Sequence, residues 1–134
     1  RTGKDKETMH LSELYAYDST TIKNTILHEF GHALGMMHEL QSMNADIPWD
    51  KPAVYDYYKR EYRWGKDSVD KWVFTKIDYG VASYFDSLSV MAYAVPDTLT
   101  IGDYEIAWQE KLSDTDKEYA KKWYDEKRTG NNRK

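Results

Sequence analysis

At 134 residues and 40% hydrophobic, the chain fits one domain, long enough to bury a core without metal or disulfide staples. It contains no cysteine, which excludes disulfides, thiolate metal sites and thiol nucleophiles. Nineteen basic against twenty-three acidic residues leave a net charge of −4 with both signs scattered, so nothing in the charge attracts nucleic acid or an anionic membrane.

The chain opens on Arg1 with no charged-then-apolar leader, which reads as a processed or trimmed polypeptide. "RTGKDKE" (1–7) is a charged, loose start, and the imperfect alternation of "TMHLSELY" (8–15) predicts a short strand. "DSTT" (18–21) offers several capping oxygens, after which Ile22, Ile26, Leu27, Phe30, Ala33 and Leu34 recur at helical spacing until Gly35. This predicts a mostly buried helix over about 20–34. Asp50 can cap a second helix with Pro52 in its first turn, running through 53–62, and 66–74 can form another short one. From Thr75 to Ile106 the pattern is loop-like, with Gly80, Pro96 and Gly102 as punctuation and an apolar run at "SLSVMAYAV" (87–95). Ser113 with Asp116 makes an approximate capping box for a last helix over about 114–127, before a polar tail, 128–134. No stretch approaches the roughly 20 apolar residues of a membrane-spanning helix. The fold class expected is α+β, mainly helical.

Three of the four histidines fall within "HEFGHALGMMHE" (28–39). His28 and His32 lie one turn apart on the same helix face and can grip one ion. His38 cannot join them from that helix, because six residues are about 600° of rotation at 3.6 residues per turn. The helix must stop, and Gly35 stands where the left-handed turn is needed to swing His38 back. Three imidazoles with a fourth position open describe a catalytic zinc site holding one ion rather than a closed structural one. Zinc brings the pKa of a bound water from its bulk value to roughly 7, and Glu29, next to His28, can take its proton. With this chain's own residue frequencies the full H-E-x-x-H-x-x-G-x-x-H pattern arises by chance on the order of once in 10⁵ sequences.

These residues, together with "SVMAY" (89–93), resemble the metzincin zinc endopeptidases and, within them, the astacins. Glu39 after the third histidine and Tyr93 after Met91 favour that branch, and "LSDTDKEYA" followed by an aromatic helix is similar to the end of its bacterial and fungal relatives. The resemblance implies His28, His32 and His38 as metal ligands and Glu29 as general base. It places Met91 in a tight Met-turn, about 87–95, beneath the metal. It further implies Tyr93 as a hydroxyl that binds zinc at rest and then hydrogen-bonds the oxyanion, and Glu39 as a structural residue anchoring a mature N-terminus. It implies a secreted endopeptidase acting on protein or peptide substrates and a single catalytic domain over 1–134; the oligomeric state stays open, with a monomer favoured. Two departures stand out. Astacins usually carry disulfides, and only 27 residues precede His28 here, so the N-terminal sheet with its substrate-aligning strand is expected to be largely absent.

Simpler roles stand beside each of these. Met91 can be a gap-filling core residue and Tyr93 a packing residue. His10 reads as an ordinary strand histidine, and the aromatic run "YDYYKREYRW" (55–64) as a half-buried helix face. Two other functions are carried forward: a non-catalytic zinc-binding module that kept the site but lost substrate docking, and a zinc hydrolase acting on a non-peptide amide.

Overall fold

Asp18 is the oxygen that starts the first helix: its carboxylate accepts from the backbone N–H groups of Thr20 and Thr21 at 2.9 and 3.0 Å and from the Thr21 hydroxyl at 2.7 Å. The computed structural model describes residues 17–78 and 84–130, with side chains as far as Lys122. The strand expected at 8–15, His10 and Gly80 lie outside the described residues. Among them the order is α1 (Ser19–Ala33), α2 (Lys51–Tyr62), α3 (Lys66–Val69) running into a wider π turn (Asp70–Phe74), and α4 (Asp114–Gly130), with short 3₁₀ turns at Glu39–Gln41 and Asp97–Leu99. About half of the chain is helical. Extended pairing among the described residues is confined to isolated bridges, Ser42 with Ile77, Trp49 with Thr100 and Val95 with Ile106.

Helix α1 corrects the expectation of a mostly apolar buried helix. Its buried residues are Asn24, His28 and Gly31, spaced by four and three on one face, whereas Phe30 is 54% exposed. The face that packs against the rest of the chain is the histidine face, and the one buried amide on it is satisfied, Asn24 Nδ2 donating to the Gln109 carbonyl at 2.9 Å. Helix α4 also runs past its expected end at 127, taking in the first residues assigned to the polar tail.

Helix α2 begins as expected, with Asp50 accepting from Ala53 N–H and Pro52 in its first turn. It ends on Arg63 in the left-handed conformation, φ 56°, and this reversal brings Trp64 back so that its N–H donates to the Tyr58 carbonyl and its ring stacks on Tyr58, centroids 5.2 Å apart. Two small cores result. Val54, Val69, Val73 and Leu99 join α2 to α3, while Leu40, Ala45, Ile47, Ala92, Val95 and Ile106 pack the loops beyond α1. Trp49 lies against both. Each of the larger aliphatic side chains, taken fully out of water, contributes about 1.5–3 kcal/mol.

A candidate metal centre

The end of α1 sets the site. The Met36 N–H donates to the Gly31 carbonyl and the Gly35 N–H to the His32 carbonyl, both at 2.9 Å, which is the paired bonding of a Schellman close. Gly35 has φ +92°, and the Cβ of any other residue would be strained there. The chain leaves the helix at this point and returns His38 to the face holding His28 and His32. One nitrogen from each ring lies within 4.8 Å of the other two.

The outward nitrogens are already engaged. His28 Nδ1 lies 2.9 Å from the Val90 carbonyl and His32 Nδ1 lies 3.0 Å from the Met36 carbonyl. A carbonyl only accepts, so each Nδ1 carries the proton and each Nε2 keeps a lone pair directed at the centre. The Gln41 side chain hydrogen-bonds His38. His28 Nε2 is buried with no hydrogen-bond partner, while the Nε2 atoms of His32 and His38 approach to 2.9 Å. Nitrogens that close are held together by one proton or by a cation among the three rings. A buried polar atom left unpaired costs free energy, and a metal ion at the centre removes that cost. The donor set therefore fits a divalent metal that takes imidazole.

Met91, 1% exposed, lies beneath α1. A Cβ at Gly31 would fall 2.3 Å from its sulfur, so this glycine lets the helix rest directly on the methionine. The turn that carries Met91 is held by Asp116, which the sequence analysis recognised only as part of a capping box. The box is there, with Ser113 and Asp116 exchanging bonds of 2.9 and 3.0 Å. The same buried carboxylate also accepts from Ser89 Oγ at 2.6 Å and Val90 N–H at 3.1 Å. It thus ties α4 to the turn, and Val90 in turn orients His28. Removing it leaves several buried donors without an acceptor. Asp116→Ala is expected to lower stability by about 3 kcal/mol, read as a shift of the urea midpoint, and Asp116→Asn by less.

Tyr93 Oη stands 3.3 Å from His38 Nε2, and its ring lies 4.8 Å from that of His28. Burial pushes its phenol up, and the negative charge of Glu29 adds to this. Burial lowers His28, opposed in part by the bond to the Val90 carbonyl and by the charge of Glu29. Glu29, Tyr93 and the three histidines therefore share one small electrostatic neighbourhood.

Glu39 is held by the backbone of Asp86 and Met91. Its Oε2 accepts from the Asp86 N–H at 3.2 Å, and its own N–H donates to the Met91 carbonyl at 3.1 Å. Burial pushes its carboxyl from 4.5 up to about 7, partly offset by the Asp86 N–H and reinforced by the charges of Asp86 and Asp116. His38 shifts the other way, from 6.5 to about 4, through burial and then the charges of His32 and His28. The two act on stability with opposite sign. His38 contributes stability that is present above pH 6.5 and lost as pH falls toward 4, whereas Glu39 contributes stability present below pH 4.5 and lost as pH rises through 7. Glu39→Gln removes the second contribution. In chelator-treated protein, thermal melts between pH 4.5 and 6.5 should therefore rise more steeply with pH in Glu39→Gln than in the unaltered chain.

No family model matches the sequence, and no curated protein matches it. Among solved structures the chain has a metalloprotease fold over the part that it spans. The likeness is to myroilysin: one structure superposes with a TM-score of 0.74 at 37% identity, covering 81% of this chain and 54% of that one. A second gives a TM-score of 0.53 at 36% identity, covering 81% and 49%. The chain thus spans about half the length of the myroilysin chains it matches.

Proposed function

We propose that the chain, 1–134, is one catalytic domain of a secreted, zinc-dependent endopeptidase of the astacin-like metzincin type, acting on protein or peptide substrates. The observation that carries this reading is the inward set of Nε2 atoms, with His28 Nε2 buried and unpaired while its Nδ1 is locked by the Val90 carbonyl. His28, His32 and His38 would hold one ion. Zinc bound there supplies Lewis acidity, which polarises a carbonyl and makes water acidic near neutral pH.

The remaining roles belong to side chains. Glu29 accepts the proton of the attacking water and passes it to the departing amine. The Tyr93 hydroxyl, beside His38, donates a hydrogen bond to the oxyanion as the carbonyl carbon becomes tetrahedral. Met91 and the turn about it, read as the Met-turn, give the histidines a fixed floor, and Asp116 holds that floor in place. The presence of Glu29 in the neighbourhood of the triad weighs against a non-catalytic module. The test is hydrolysis of a denatured protein substrate before chelation, after chelation and after added zinc. Activity lost and then restored supports the reading. Activity indifferent to chelator overturns it.

A further inference from the structure

His28 and His32 share a helix, but His38 comes from the loop that follows it, at the start of the 3₁₀ turn Glu39–Gln41. So short a turn does not hold its own shape in water, and the place of His38 therefore depends on what the turn is fastened to. One fastening is the Glu39 N–H on the Met91 carbonyl. The other comes from a segment far along the chain. Lys76 Nζ donates to the Leu40 carbonyl at 3.1 Å and to the Ala45 carbonyl at 2.6 Å, and the Ile77 N–H donates to the Gln41 carbonyl at 2.7 Å. Leu40, Gln41, Ser42 and Ala45 are all buried, so carbonyls here have little water to turn to. The segment is itself anchored: Thr75 Oγ1 donates to the Asp70 carbonyl at 2.9 Å, closing the π turn whose Val73 sits in the core between α2 and α3. Burial lowers the Lys76 ammonium, opposed in part by the charge of Asp46.

We propose that Lys76 is a positioning residue for the metal centre: it pins the loop 40–45 so that the Gln41 side chain holds His38 toward His28 and His32. The proposal rests on the metal reading above. Its ground is the path of contacts. Gln41 hydrogen-bonds His38 through its side chain and is held through its main chain by Ile77, the residue next to Lys76. The carbonyls of Leu40 and Ala45, one on either side of Gln41 in the chain, converge on a single ammonium. A compact charge with three rotatable donors suits that task, since it can meet two carbonyls that approach from different directions. An aliphatic side chain in its place leaves both without that donor, the loop relaxes to find water, and His38 moves with it. His28 and His32 are held independently, their Nδ1 atoms resting on the Val90 and Met36 carbonyls. The third imidazole is thereby fixed from the core between α2 and α3, by a residue that acts through Gln41.

The experiment reads zinc affinity by competition with a chromophoric chelator, with circular dichroism and urea midpoints taken on the same proteins. Lys76→Met is expected to bind zinc about 10-fold more weakly than the unaltered chain, the lower end of the roughly 10–100-fold range for outer partners of a metal ligand. Lys76→Arg, which keeps a charge and enough donors for both carbonyls, should recover most of that affinity. Val54→Ala opens a cavity in the core between α2 and α3, and should lower the urea midpoint with zinc affinity unchanged, which separates positioning from a general loss of stability. In a double-mutant cycle Lys76→Met should add little to the loss already caused by Gln41→Ala, because both act through His38. Should Lys76→Met not fold, Lys76→Gln takes its place with the same pattern expected. Zinc affinity in the Lys76 variant equal to that of Val54→Ala, or a loss fully additive with that of Gln41→Ala, overturns the proposal and leaves the metal reading standing. Failure of the unaltered chain to bind zinc overturns the metal reading, and this proposal with it.

Discussion

Replacing Glu29 by glutamine is expected to reduce peptide hydrolysis by about 10²–10⁴-fold or more while zinc content stays at that of the unaltered protein. Glutamine keeps the volume and hydrogen-bonding reach of the glutamate but cannot accept a proton. The metal ligands are expected to keep their places, because His28 Nδ1 and His32 Nδ1 are held by the Val90 and Met36 carbonyls and His38 by the Gln41 side chain. The comparison that gives this result its meaning is Tyr93→Phe. That change removes one oxyanion donor and should cost about 10²–10³-fold, again with metal retained. Metal analysis and kcat/KM on the same preparations decide both. Unchanged hydrolysis in Glu29→Gln would remove the glutamate from the mechanism.

Loss of any one of the three histidines is the second large effect. The protein should hold one zinc per chain, and His38→Ala should abolish stoichiometric binding, weakening affinity by ~10³-fold or more, beyond the 10–100-fold typical of losing an outer-shell partner. His38 is the informative choice. It lies outside α1, so its removal leaves the helix and the His28 and His32 pair intact, and it tests whether the turn at Gly35 serves the metal. Undiminished zinc in His38→Ala would show that the triad is not the site. Gln41→Ala gives the milder counterpart, since that side chain only orients the imidazole.

Much of the site was legible in the sequence because it depends on local geometry. The four-residue spacing of His28 and His32 puts both on one helix face whatever surrounds it, and the glycine at 35 ends a helix for reasons internal to its own backbone. The caps at Asp18 and Asp50 and the reciprocal bonds of Ser113 and Asp116 are local as well, and each was found where its residue type predicts.

What the sequence did not disclose involves residues far apart in the chain. Periodicity predicted that α1 would bury its isoleucines and leucines, but the helix buries Asn24, His28 and Gly31, because the partner surface is the Val90–Met91 turn more than sixty positions away from His28. Gly31 carried one usable signal: a glycine inside a helix costs about 1 kcal/mol relative to alanine and so points to a close approach. Nothing local identified what approaches it. Asp116 likewise read as a cap, and only the tertiary structure brings Ser89 and Val90 within reach of the same carboxylate. The aromatic run of α2 read as a helix face, and only the tertiary structure brings Tyr57, Tyr58 and Tyr62 into the lining of a cleft that Trp108 also lines. The sequence by itself determined which atoms can bind a metal and where the helix must break, since spacing and backbone preference are properties of short segments. Tertiary packing decided the tautomers, the floor under the histidines and the neighbour of the site, since each depends on contacts across long loops that no period in the sequence encodes.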